Sequence, residues 1–209
     1  TFVTIDGWSD APNVLNVAFS EHEGSYLVGM MAAIASKSGT VGFIGGMDIP
    51  LIRKFACGYA QGAKAANPDT KVISNMTGTT GAAWNDPVKG GELTRAQISQ
   101  GADVVYAAAG GTGLGVLQTA ADEGILSIGV DSNQNYLHPG KVLTSMTKRV
   151  DNAVYQAMKD GADMETGFSV MGISNGGVGY AMDEHIADLV SADMKEAVDA
   201  ASATIASGE

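Results

Sequence analysis

Helix-like and strand-like segments alternate along most of the 209 residues, and that order predicts an α/β fold: a doubly wound, mostly parallel sheet with helices on both faces. Two further observations support it. The runs 104–109 (VVYAAA) and 125–130 (ILSIGV) are continuously apolar, as strands covered on both sides must be. The 28 glycines are about twice the usual share and call for many tight turns.

The elements follow in order. Residues 1–6 (TFVTID) form a short β-rich run. Ser20 and Glu23 make a capping-box pattern ahead of YLVGMMAAIAS, with Gly39 as its stop. TVGFIGG (40–46) is a strand that ends in glycines. Pro50 opens a helix in which Ile52, Phe55, Tyr59 and Ala63 recur at helical spacing, and Asn67-Pro68 closes it. KVISNMTG (71–78) is the next strand, followed by the polar loop TTGAAWND. Asp86 supplies a cap and Pro87 the first helical position of a helix reaching about Gln100. Strand 103–109, helix 114–123 and strand 125–131 come next. VLTSMT (142–147) is another strand, and 152–159 is helical. Residues 168–182 read as a hairpin around Asn175-Gly176-Gly177. Ser191 caps a last helix that runs to Gly208. No repeat at a fixed period and no low-complexity linker divides the chain.

Composition narrows the function classes. Apolar residues make up 45% and charged residues 17%, which fits a globular protein and excludes a disordered one. The net charge is −11, most of it beyond residue 150, with no Lys/Arg cluster, so nucleic acid is not an expected partner. No apolar run reaches the ~18 residues of a membrane span. The opening TFVTIDGWSD has no positive n-region or cleavage site, so no signal peptide is expected there. The single cysteine, Cys57, reads as a small buried hydrophobe on a helix face. His22, His138 and His185 lack ligand spacing, so no metal is expected, and no nucleophile elbow or phosphate-binding P-loop is present.

In an open α/β sheet, ligands bind beyond the carboxyl ends of the strands. Those ends carry Gly45, Gly46 and Asp48; Trp84 and Asp86; Gly110 and Gly111; Asp131; and Lys148 with Arg149. Asp48 reads as a turn residue and Asp86 as a cap. The turn GGTGLG lets a ligand approach the backbone ahead of a helix N-terminus. Asp131 lies 20 residues after Gly111, a spacing that suits a carboxylate gripping ribose hydroxyls. The turn is not a clean dinucleotide fingerprint and sits in mid-chain. Trp84 offers a ring on which a planar base can stack, and Lys148 a donor, which fits a compact nucleoside better than NAD.

FSEHEGSYLVGMMAAIASKSGTVGFIGGMDIPLIRKFACGYAQGAKAANPD, AAGGTGLGVLQTAADEG, GVDSNQ, SMTKRVDNAVY and SNGGVGYAMDEH resemble the basic membrane protein family, the PnrA-like substrate-binding lipoproteins of ABC transporters. The resemblance spans nearly the whole chain. It implies a type I periplasmic-binding-protein fold that closes two lobes on a nucleoside, with a purine as the expected base, outside the cytoplasm and delivers it to a membrane permease. It implies no enzyme activity and no cofactor. It also implies roles: Trp84 stacks on the base, Gly110 or Gly111 contacts the ligand by its backbone, Asp131 binds the ribose, and Lys148 adds a hydrogen bond beside it. Asp6, at the tip of the first strand, joins them.

Against the family pattern, residues 1–18 look like the end of the first lobe. Residues 19–145 are the expected second lobe, 146–165 a return segment, and 166–209 a C-terminal hairpin and helix. Most of the first lobe, the signal and the lipid-modified cysteine of the family lie outside this sequence, and an uncovered cleft face would favour self-association. Two other readings remain open: a ligand-sensing domain of the same fold, and an NAD-dependent oxidoreductase, for which no acid/base residue stands out.

Overall fold

Nine strands, among residues 1–208 that the computed structural model describes, divide between two sheets. The small sheet holds β1 (Phe2–Ile5), β2 (Val14–Phe19) and β8 (Gly167–Met171), all parallel, with β2 in the middle. The large sheet has the order β4-β3-β5-β6-β7-β9, from β3 (Thr40–Met47), β4 (Lys71–Gly78), β5 (Val104–Ala108), β6 (Leu126–Asp131), β7 (Val142–Lys148) and β9 (Val178–Tyr180). It is parallel except for β9, which runs antiparallel along β7.

Both faces of the large sheet are covered, which is why its strands are apolar without alternation. Val41, Phe43, Val104, Tyr106, Ile128 and Leu143 point to α1 (Glu21–Ala35), α2 (Pro50–Ala66) and α6 (Ala192–Ser207). Ile44, Val105 and Ala107 point the other way, to α3 (Pro87–Ile98) and α4 (Thr112–Asp122). Helices α1 and α2 touch backbone to backbone. A Cβ on Gly29 would lie 2.2 Å from the Tyr59 carbonyl oxygen, and one on Gly62 would lie 1.9 Å from that of Tyr26. Only glycine permits that approach. The small sheet has one helix, α5 (Val150–Asp160), whose Val150 and Ala153 pack on Val17 and Phe19.

The chain passes between the sheets three times: from β2 into α1, from β7 into α5, and from β8 into β9. The three passages are tied together. Ser20 N–H donates to the Met171 carbonyl at 2.9 Å, and Arg149 N–H to that of Gly177 at 2.8 Å.

Four expectations are corrected. The hairpin around Asn175-Gly176-Gly177 does not exist, because β8 belongs to the small sheet and β9 to the large one. The turn is a short 3-10 segment, Ile173–Asn175, that ends on Gly176 at φ 71° and carries the chain across. The boundary placed at residue 145 falls inside β7, which runs on to Lys148 in the large sheet. The capping box at Ser20 is not formed: Ser20 makes no side-chain cap, and the Glu23 carboxylate accepts instead from Ile173 N–H at 2.7 Å. Cys57 is exposed, because it lies two residues from both Phe55 and Tyr59 and so on the opposite face of α2.

Candidate functional site

The carboxyl ends of the large-sheet strands and the tip of β1 meet at one cavity of about 140 Å³. Asp6, Trp84, Gly110, Asp131 and Lys148 line it, with Leu51, Ile52, Phe55, Ala108 and Val130 as an apolar floor. Five of the six residues nominated from the sequence are therefore brought together. Gly111 is not. It starts α4, and a Cβ there would lie 2.9 Å from the Asn85 Oδ1, so its smallness admits the 84–86 loop.

Each side chain is placed by local structure. Trp84 ends a short 3-10 turn, Gly81–Trp84, and its ring packs against Gly46, where a Cβ would be 2.2 Å from Cζ3. Thr112 pins that loop: its Oγ1 accepts from Asp86 N–H and donates to the Ala83 carbonyl, both at 2.8 Å. Asp86 caps α3, its Oδ1 accepting from Lys89 N–H at 2.9 Å, as expected. Asp48 pairs with Arg53 in a two-point contact at 2.6 and 2.9 Å, which makes it a surface turn residue and keeps it outside the cavity. Gly110 takes φ +57° beneath the Trp84 carbonyl.

Asp6 and Asp131 are the only non-glycine residues with positive φ among the described residues, at 55° and 66°. Such backbone costs roughly 1–3 kcal/mol and persists where the surroundings dictate it. Both face the cavity, one from each sheet.

Charges concentrate at the seam. Lys148 Nζ, on a side chain only 5% exposed, donates to Asp6 Oδ2 and to Glu21 Oε1, the latter at 3.0 Å. Glu21 is fully buried at the start of α1, and its Oε2 accepts from Lys54 Nζ at 3.3 Å. Lys148 also sits 4.9 Å from the centroid of the Phe19 ring. Burial works against the Lys148 ammonium, but its bonds to Asp6 and the charge of Glu21 outweigh that and hold its pKa above the ordinary lysine value. Asp131 is different. No side-chain hydrogen bond to it is found among the described residues, and it stands at the solvent-reachable mouth. The surrounding walls push its pKa up, Lys148 pulls it down, and Asp6 and Glu21 push it up again. It is a carboxylate kept without a partner beside a kept ammonium.

Beyond Asp131 and Lys148 the space opens into a second cleft of about 640 Å³, lined also by Ser132, Asn133, Arg149 and Tyr180. Reading the sequence alone missed Glu21. Its one signal was its place at the passage from β2 into α1, where a buried carboxylate has no reason to sit unless a cation meets it. No cluster of three or more side chains able to hold a metal ion, and no helix long and apolar enough to cross a membrane, occurs among the described residues.

A family model described as ABC transporter substrate-binding protein, PnrA-like, matches residues 1–208. The chain is similar to Basic membrane protein D of Borreliella burgdorferi (strain JD1), 36% identical over 182 residues that cover 83% of this chain and 52% of the relative. It is also similar to the ABC transporter nucleoside-binding protein BmpA of Lactococcus lactis subsp. cremoris (strain MG1363), 34% identical over 220 aligned positions that cover 95% and 61%. The chain thus spans roughly half to three-fifths of the length of these relatives. Among solved structures, an ABC transporter solute-binding protein from Aeropyrum pernix K1 superposes with a TM-score of 0.86 at 26% identity, over 99% of this chain and 68% of that one. A transcriptional activator of the comK gene from Bacillus halodurans superposes at 0.85 and 26%, over 99% and 70%. The fold is that of the periplasmic solute-binding proteins.

Proposed function

This chain belongs to the PnrA-like family of ABC transporter substrate-binding proteins, and from that premise we propose that its strand-end cavity captures a nucleoside, with a purine as the base. The family consists of solute-binding receptors rather than enzymes. The observation that carries the ligand reading is the convergence of an aromatic ring, a bare glycine backbone, an unpartnered carboxylate and an ammonium on one apolar-floored cavity. Trp84 and the floor suit a flat base, and the inner space is base-sized. The sugar then lies at the mouth, where Asp131 accepts from its hydroxyls and Lys148 donates. Gly110 admits the ligand close to the backbone.

Around the cavity stand three carboxylates, Asp6, Glu21 and Asp131, against two ammonium groups, Lys54 and Lys148. That balance favours a neutral ligand rich in hydroxyl donors over a phosphate. Capture without chemistry, by closure of two bodies about the three passages, is the mechanism that follows. The complete protein works outside the cytoplasm, held there by a lipid anchor, and hands the nucleoside to a membrane permease. No cofactor enters this reading.

A thermal-shift screen against nucleosides, free bases, sugars and NAD tests the ligand class. Purine nucleosides should raise the melting temperature with concentration, as mass action requires, while bases and sugars alone do less. Stabilisation by NAD or by a sugar, with none by nucleosides, would replace the reading.

A further inference from the structure

We infer that Glu21 is a positioning residue of the ligand site: a buried anchor that holds the Lys148 ammonium at the cavity wall and leaves the Lys148–Asp6 contact free to be exchanged for a ligand hydroxyl. The inference rests on the nucleoside reading above and assigns a task to a side chain that never touches the ligand.

The geometry separates the two carboxylates that Lys148 meets. Glu21 is completely buried, lies outside the cavity lining, and belongs to a helix packed along the large sheet. The Asp6 side chain is a quarter exposed, lines the cavity, and hangs from the tip of β1, the edge strand of the small sheet. Glu21 is also the better fixed, since Lys54 holds its second oxygen and itself donates to the Phe19 carbonyl at 3.2 Å. An ammonium has three donors. Asp6 and Glu21 take two, and no third partner for Lys148 is found among the described residues. Lys148 therefore has one donor in reserve and a second on a partly exposed, cavity-lining carboxylate, while one bond, to Glu21, is fixed by packing.

Glu21 also stands where the chain passes from the small sheet to the large one, and Lys148 where it passes back. The pair ties two of the three passages across a buried bond, so movement of one sheet against the other need not displace the donor from the site. The ionisable groups that bear on Lys148 are Asp6 from β1, Glu21 from α1, Asp131 from β6 and, through Glu21, Lys54 from α2.

The test replaces Glu21 by its neutral isostere in the full chain. Calorimetry uses adenosine, guanosine, cytidine and uridine, and the tightest wild-type binder serves as probe. Glu21→Gln should bind that probe at least tenfold more weakly at pH 7.5, and Asp6→Asn should lose less. The Lys148 13Cε resonance supplies a readout that a merely structural role would not move. It should titrate at lower pH in Glu21→Gln than in wild type, because burial remains and the charge that opposed it is gone. Should the single variant fail to fold with Lys54 left unpaired, Glu21→Gln with Lys54→Gln removes both charges, and the same losses are expected. Wild-type affinity in these variants with an unmoved Lys148 titration overturns the anchor. A wild-type chain that binds none of the four nucleosides overturns the ligand reading instead.

Discussion

The two sheets are built from similar strands and bury them differently. In the large sheet every residue of β5 is buried, and helices close both faces. In the small sheet α5 covers one face. On the other, Phe2 is 66% exposed and Phe168 58%. The loop after β1 shields part of that face: Trp8 stands 5.6 Å from Phe168, and Asn16 is tied by both its side-chain ends to Ser9. The large sheet thus holds its half of the site, Trp84, Gly110, Asp131 and Lys148, on a closed core. The small sheet contributes Asp6 from a unit with much less burial behind it. The candidate site thus spans a closely packed body, here called the stiff one, and a less buried body, called the soft one, an arrangement that suits the closure proposed above.

The largest expected effect tests that difference directly. Phe43 is fully buried against Tyr59 and Tyr106, with ring centroids 6.2 and 5.6 Å away. Phe43→Ala should cost about 3–5 kcal/mol, because the cavity it leaves cannot collapse between packed helices. Phe168→Ala should cost under about 1 kcal/mol, since the ring is mostly exposed and loses chiefly its tilted contact with Trp8. Urea denaturation followed by circular dichroism measures both. Similar losses in the two variants would break the contrast between the sheets.

Next comes the proposed ligand contact from the stiff side. Asp131→Ala should weaken nucleoside binding by about 2–4 kcal/mol in calorimetry, through loss of a charge-assisted bond pair. Trp84→Ala should follow with about 1–3 kcal/mol, the range for a base stacked on an aromatic ring. Its effect is compounded by the empty space left over Gly46. If an Asp6 variant were instead the worst of the three, the soft side would dominate recognition and the comparison would invert.

Most of this was legible in the sequence, for identifiable reasons. Continuous apolar runs gave β5 and β6 because a parallel strand covered on both faces tolerates little else. That Trp84, Asp131 and Lys148 line one cavity was legible from a list of strand ends, which a parallel sheet brings to one rim. What was not legible depended on distance in the chain. Glu21 gains its meaning from Lys148, 127 residues away, and Glu23 left its capping role for Ile173, 150 residues away. The false hairpin has the same cause. Asn175-Gly176-Gly177 is a sound local turn signal, but β2 and β7 were stronger partners for its two flanks than the flanks were for each other.

Asp131 also permits a test in which stability and binding move apart. Its φ of 66° is strained for any side chain, and its charge stands among walls and near Asp6 and Glu21. Asp131→Gly should therefore stabilise the fold by about 1 kcal/mol while removing nucleoside binding. The pH dependence has a defined sign. Because the folded protein raises the pKa of Asp131, this group disfavours the fold at neutral pH. That penalty lifts as pH falls through the folded value and is gone below the ordinary carboxylate value. Asp183, where burial is the largest single influence but the bonds from Asn133, Asn135 and the His185 N–H together outweigh it, and Asp199, lowered first by its bond from Lys195 and then by that from Tyr180, act in the opposite direction and lose stability in acid. Lys148, raised, contributes fully below the ordinary lysine value and loses its contribution as pH rises through the folded one. An Asp131→Gly stability profile that keeps the wild-type slope between neutral and mildly acidic pH would show that the strain, without the charge, is what matters there.

The smallest effect separates real helix caps from apparent ones. Ser191 Oγ accepts from Met194 N–H at 3.1 Å at the start of α6, which packs on the stiff body. Ser191→Ala should cost about 1 kcal/mol. Ser20 has an equally good sequence pattern but sits in the passage between the sheets, with a backbone that does not suit a cap and no side-chain bond. Its own N–H is bound to Met171 instead, so the local signal was overridden by the demand that three passages hold together. Ser20→Ala should change stability by under about 0.5 kcal/mol. A loss at Ser20 as large as that at Ser191 would mean that the passage moves into a capped form in solution, and with it the angle between the two sheets.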